Sequence, residues 1–163
     1  MRALKIGAIA AVAMLLVMLL MLGYLFMSAE ITVSVTGAQS SPAATDNRFM
    51  EHRTAIDEQT FIGTVYNKPD HWKDASQYAY VTYTVHVKNG CLVPIETIEV
   101  QVVPMPTDVA QLTTWQEAAL PANSEGDLTA TILTHATGTP IREMIVTYYV
   151  WGVSFQVRTM AGE

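Results

Sequence analysis

The densest grouping of chemistry-bearing side chains in this sequence is Asp70-His71-Trp72-Lys73-Asp74, with two carboxylates and an imidazole. A protein metal site needs three or four such ligands in fixed geometry. Asn67, Lys68 and Pro69 precede the group, so it reads as a solvated loop with Trp72 folded against the domain. His52 follows Glu51 with no further ligand beside it, and His86 and His135 read as surface residues of a strand and a strand end. No metal or cofactor is expected. Ser124 and Ser154 lack the Gly-x-Ser-x-Gly context of a strained nucleophile. No phosphate-binding glycine loop, dinucleotide fingerprint or Cys-x-x-Cys is present. Glu96 and Glu99 stand three apart in a strand pattern, which sends them to opposite faces and prevents a catalytic carboxylate pair. No catalytic residue is assigned, and the chain reads as a non-enzyme.

The aromatic residues offer a different chemistry, that of contact. Tyr78 and Tyr80 stand two apart on the polar side of a strand pattern, and Tyr149 and Trp151 occupy a later one. If the two strands were sheet neighbours, these rings would form an outward ledge with His86, suited to a protein partner or a glycan. The competing reading is structural. The rings then make cross-strand pairs, or lie beneath residues 46–59.

The elements that would position these residues are strands. Ile31, Val33 and Val35 alternate with Thr32 and Ser34. Residues 39–45 read as a loop and 46–59 as irregular, and 60–66 as a second strand. The third is the clearest: Ala79, Val81, Tyr83, Val85 and Val87 face one way, and Asn89-Gly90 stops it. Ile98, Val100 and Val102 mark a fourth, ended by Pro104 and Pro106. Residues 108–119 fit a short helix or a looping crossover equally. Leu128, Ala130 and Ile132 mark a fifth after a turn at residues 120–126.

Residues 141–159 are too long for one strand. A two-residue turn at Trp151-Gly152 would set Val150 opposite Val153, Tyr148 opposite Phe155 and Val146 opposite Val157 on one face. An unbroken strand would switch its apolar face at Gly152, so a hairpin is favoured, with a bulge as the alternative. About seven alternating strands without an amphipathic helix predict an all-β fold. The expected form is an antiparallel immunoglobulin- or fibronectin-like β-sandwich, with small barrels such as the OB-fold as the alternative.

Ahead of this domain runs an uninterrupted apolar stretch, residues 6–27, between Arg2 and Lys5 on one side and Glu30 on the other. As a helix it would be roughly 33 Å long, about one hydrocarbon core. The organisation expected is therefore a cytoplasmic flank at 1–5, a transmembrane anchor at 6–27 and an extracytoplasmic sandwich at 30–160. Both cations of the flank precede the run and all 15 acidic residues follow position 29, which keeps the N-terminus in the cytoplasm. Cleavage as a signal peptide would instead release the domain. The run exceeds the usual apolar core of about 7–15 residues, and Met27-Ser28-Ala29 is a poor cleavage site. Met14, Met18 and Met21 read as apolar filler.

A net charge of −6 with no basic cluster argues against nucleic acid and anionic lipid as partners. A membrane or surface protein is expected instead. Cys91 is the single cysteine, so no internal disulfide can form, and a buried thiol is expected.

Three short stretches carry a likeness: Tyr83-Thr84-Val85-His86-Val87-Lys88-Asn89, Val93-Pro94-Ile95 and Leu120-Pro121-Ala122-Asn123-Ser124. Together with the closing hairpin they resemble the water-stress and hypersensitive-response domain, the late-embryogenesis-abundant type 2 group, over residues 78–158. In that family the Asn is usually followed by Pro, whereas here Gly90 follows. Gly63-Thr64-Val65-Tyr66-Asn67 leading into a long strand also resembles other small bacterial surface sandwiches. Both resemblances imply a sandwich without a catalytic site, and the first implies a stress-protective role.

Overall fold

The apolar run folds as one helix, α1 (Arg2–Met27), rich in the Ala, Leu and Met that favour helix. The structure, a computed structural model, describes residues 2–27, 30–112 and 119–161. Within α1, Lys5–Leu25 has a mean hydropathy of 2.7, is long and apolar enough to cross a membrane, and is nowhere buried against the rest of the chain. Ser28 and Ala29 of the weak cleavage site lie outside the described residues.

Among the described residues eight strands follow: β1 (Ile31–Pro42), β2 (Gly63–Val65), β3 (Tyr78–Asn89), β4 (Ile98–Val102), β5 (Asp108–Leu112), β6 (Glu125–His135), β7 (Arg142–Val150) and β8 (Val153–Ala161). They form two antiparallel sheets, ordered β1-β3-β6-β5-β2 and β4-β7-β8. Leaving out the short edge strand β2, this is the four-plus-three strand order of the constant-type immunoglobulin sandwich. The β-sandwich expected from the alternating pattern is thus present. Its core lies between the sheets, where Val81, Tyr83, Val85 and Val87 of β3 meet Ile98, Val100 and Val102 of β4 and Met144, Val146 and Tyr148 of β7.

The closing hairpin has the register that its apolar alternation demands. Val150 pairs with Val153, Tyr148 with Phe155 and Val146 with Val157. Trp151 (φ 50) and Gly152 (φ 74) both take the left-handed backbone that a two-residue turn between right-twisting strands requires. The Tyr148 and Phe155 rings stack with centroids 5.3 Å apart.

Several expectations need correction. Residues 46–59 are not irregular, because Arg48–Asp57 form a helix, α2, flanked upstream by a short 3-10 turn at Ala43–Thr45. Phe49, His52, Arg53 and Ile56 make its inward stripe, and two polar members of four hid the helical period. Residues 39–42 are not a loop. They continue β1 past a bulge between Val35 and Gly37, pairing with Ala79–Thr82 of β3. The segment left open between helix and crossover begins with β5, while residues 113–118 lie outside the described residues. Asp108, Val109, Ala110 and Gln111 are all buried, so this strand shows no alternation to read.

Gln111 shows how the sandwich closes an edge. Its side chain accepts from the Val102 N–H at 2.9 Å and donates to the Val100 carbonyl at 2.8 Å. The Tyr66 hydroxyl donates to the Val102 carbonyl at 2.8 Å and lies 2.7 Å from Gln111 Oε1. Backbone groups of β4 that face away from β7 are thereby satisfied by side chains from the opposite sheet. Burial pushes the Tyr66 phenol up to about 12, with the Asp108 charge adding to the shift.

Candidate interaction surfaces

The four aromatic residues expected to form one ledge are separated by the fold. Tyr78 and Tyr80 belong to β3 of the larger sheet, and Tyr149 to β7 of the smaller one. Tyr78 and Tyr80 are 0% and 2% exposed, so neither can meet a partner. The cause is α2, which with the loop before β3 lies over that end of the sheet. Phe49 of α2 packs against Tyr78 at 5.4 Å and against Trp72 at 6.0 Å. The His135 ring also stacks on Tyr78, at 4.9 Å. Trp72 is thus folded against the domain, as its loop position suggested. Among the described residues, no three His, Cys, Asp or Glu side chains gather to hold a metal ion.

His52 Nδ1 lies 2.7 Å from the Tyr80 hydroxyl, with the ring edge-on to the tyrosine face. Burial and then the positive charge of Arg48 hold the imidazole below its ordinary pKa. Arg48 is fixed by Asp46, whose carboxylate receives the Arg48 backbone N–H at 2.9 Å and its guanidinium at 2.7 Å. Those hydrogen bonds bring the Asp46 pKa down to about 2. Asp46 thereby ties down the first turn of α2, and Asn47 at the cap position makes no side-chain capping bond. Between α2 and the β2–β5 edge runs an open groove of about 750 Å³, with Met50, His52, Phe61, Ile62 and Leu112 among its walls. Sequence patterns held no sign of it, because a polar helix and an apolar edge supply one wall each.

Tyr149 and Trp151 stay accessible. Tyr149 is half-buried on the outer face of the smaller sheet, opposite Ser154 and in the same row as Ile145 and Thr147. Trp151 is 44% exposed at the tip of the hairpin. His86 is part of neither group. It lies on the outer face of the larger sheet, with Nδ1 2.7 Å from Asp127 and Nε2 3.7 Å from Glu125.

The motif residues around Asn89 converge on one point. Asn89 is fully buried, and its amide nitrogen donates to the carbonyls of Val93, Leu120 and Pro121 at 2.9–3.1 Å. Its side-chain oxygen accepts the Cys91 N–H at 2.9 Å. Ile95 and Leu120 form a bridge, and Ser124 supplies its hydroxyl to Pro121 and its carbonyl to the Asn89 N–H. Residues far apart in sequence are thus one structural node, a role that explains their types without any ligand. Cys91 within it is fully buried, and burial pushes its thiol pKa up.

No protein-family model and no curated protein matches the chain. Among solved structures, the chain is similar to the GAE domain of yeast GGA1. That match has 14% identity and a TM-score of 0.39, over 60% of this chain and 96% of that one. It is also similar to an uncharacterized β-sandwich protein from Clostridium difficile, with 9% identity and a TM-score of 0.34 over 79% and 85%. No function is taken from either.

Proposed function

We propose that this chain is a single-pass membrane protein that presents a non-enzymatic β-sandwich outside the cytoplasm, as an interaction or accessory module of a membrane assembly. The observation that carries this reading is α1: a long apolar helix with no share of Lys5–Leu25 buried in the protein needs an apolar surrounding from elsewhere. The cations Arg2 and Lys5 in its first turn favour a cytoplasmic N-terminus.

The polar groups inside the sandwich have structural employment. Among the described residues every buried side-chain nitrogen and oxygen has a hydrogen-bond partner, and Asn89, Gln111, Asp108 and Arg142 are consumed in such networks. What remains for function is surface. The outer face of β4-β7-β8, with Tyr149 and Ile145 beside Glu99, Gln101 and Gln156, mixes aromatic and polar groups as protein interfaces do. A stress-protective role, implied by the family resemblance, rests on the Asn89 node, whose residues are accounted for by folding.

The test is crosslinking followed by purification of the tagged full chain in mild detergent. A stoichiometric partner recovered with the wild type and lost with Tyr149→Ala supports the reading. A solitary chain in both refutes it, and protease mapping that finds the C-terminus in the cytosol refutes the topology.

A further inference from the structure

We infer that the end of the sandwich nearest α1 is a membrane seat, with Trp151 and Leu92 entering the headgroup layer of the bilayer that α1 spans. This rests on the anchored reading above and adds a second contact with the same membrane.

Covalent geometry comes first. Three peptide units join Met27 to Glu30, so the domain begins within about 11 Å of the helix end. Glu30 and Ile31 lie at one definite end of the sandwich. Ile31 pairs with Asn89, the last residue of β3. The loop that follows folds onto Glu30, with the Cys91 thiol 3.7 Å from the Glu30 carbonyl. A side chain at Gly90 would meet that same carbonyl at 3.2 Å. Leu92 in this loop is 58% exposed.

The β7–β8 hairpin turns at the same end. The Glu96 N–H donates to the Tyr149 carbonyl at 3.0 Å, and the Tyr149 N–H donates to the Thr97 carbonyl at 3.1 Å. Both bonds tie the base of the turn to the loop that carries Leu92. Beyond them stand Trp151 and Val153, 44% and 45% exposed. Tyr148, just before, shares one core cluster with Ile31 and Cys91, which places it close to the start of the domain.

The residue types fit this task. Asn and Gly are usual where a turn needs left-handed backbone, and a tryptophan at φ 50 answers no demand of the turn. An indole does suit the boundary between headgroups and acyl chains, where its ring is apolar and its N–H finds water or ester oxygen. Glu30 and Glu96 are exposed nearby, so attraction to anionic lipid is not the driving force. The contact is apolar, shallow and indifferent to salt, and the tether supplies the local concentration that so small a wedge lacks.

Tryptophan emission of the full chain in phosphatidylcholine vesicles tests this, using lipid brominated near the headgroup end of its acyl chains; every chain compared, the wild-type reference included, carries Trp115→Phe, so that Trp72 and Trp151 are the emitters. Trp72 is an internal control. It packs on Tyr78 at the far end of β3, about 36 Å from Asn89. We expect bromolipid to quench part of the wild-type emission, Trp151→Phe to lose at least half of that quenching, and Trp72→Phe to keep it. Raising salt to 0.5 M changes none of these. A Trp151→Phe chain that floats with the vesicles and is quenched as the wild type overturns the seat while leaving the anchor intact. A chain that does not float overturns both. As an independent variant, Leu92→Cys carrying an environment-sensitive dye brightens in vesicles if the seat exists and stays at its detergent-free aqueous level if it does not.

Discussion

The Arg142 guanidinium holds the Asp108 carboxylate through two parallel hydrogen bonds, Nε to Oδ2 at 2.8 Å and Nη2 to Oδ1 at 2.7 Å, with both side chains wholly buried. Asp108 begins β5 of the larger sheet and Arg142 begins β7 of the smaller, so the pair crosses the sandwich. Nη1 donates to the Thr139 and Ile141 carbonyls, and the Met105 N–H donates to Asp108 Oδ2 at 2.8 Å. Burial alone would raise the Asp108 pKa. The bonds from Arg142, Met105 and Thr134 outweigh it and leave the pKa below the ordinary carboxylate value.

Removing one partner strands the other charge in the interior. Arg142→Met should cost about 3–5 kcal/mol in urea unfolding. Adding Asp108→Asn should recover part of that loss, since the amide carries no charge and keeps an oxygen for the Met105 N–H. A double variant no more stable than Arg142→Met would show that the charge is not what matters. The pH sign follows from the lowered carboxyl. The pair's contribution is complete above about pH 4, the unfolded carboxylate value, and is lost as pH falls through the lower folded value.

His52 gives a second pH dependence at milder acidity. Its folded pKa is lowered by burial and by Arg48, so the unfolded chain takes up the proton first as pH falls. Stability from this group is therefore whole above about pH 6.5 and declines below it. Thermal melts should show Tm dropping between pH 7.5 and 5.5, and His52→Gln should flatten that part of the profile. Gln keeps a hydrogen-bonding group for Tyr80 without titrating. An unchanged slope in the variant would assign the dependence to another group.

Legibility in the sequence followed exposure. The closing hairpin could be read to the residue because β7 and β8 have one wet face, so the period of two shows in Val146, Tyr148 and Val150 against Thr147 and Tyr149. β5 was opaque for the opposite reason. Both its faces are covered, and Asp108 and Gln111 sit where a reader expects Val or Leu, their polarity answered by Arg142 and the edge of β4. The tyrosine ledge failed through α2. Tyr78 and Tyr80 do alternate out of the core, but His52 and Arg53 take two of the four inward positions of the helix above them, which erased the apolar stripe that would have announced a cover.

The C-terminus of that same helix carries a removable strain. Gln59 has φ 59, while the Thr60 N–H reaches back to the Ala55 carbonyl at 2.8 Å and the Gln59 N–H to the Ile56 carbonyl at 3.4 Å. This is the paired closure that usually employs glycine. Gln59→Gly should relieve the left-handed penalty and stabilise by about 0.5–1 kcal/mol, net of the extra freedom that glycine gives the unfolded chain. A Tm rise of about 2–4 °C would be the readout. A fall would mean that the Gln59 side chain contributes more than its backbone costs.

Asn89 and Cys91 together report on the node at the opposite end of the domain. The Cys91 thiol is fully buried and its pKa is raised by burial, so thiol reagents can reach it only when the loop opens. In the wild type, labelling should be slow and should accelerate in urea. Asn89→Ala removes the donor shared by the Val93, Leu120 and Pro121 carbonyls and the acceptor of the Cys91 N–H, leaving those groups unpaired in the interior. At about 2 kcal/mol for the local loss, Cys91 should label roughly thirtyfold faster. Comparison with the urea midpoint locates the effect. If global stability falls by as much as the labelling rate rises, the node is part of the cooperative core. If labelling accelerates alone, the loop opens as a separate unit. Unchanged labelling in Asn89→Ala would mean that packing against Glu30 holds Cys91, and that the hydrogen bonds do not.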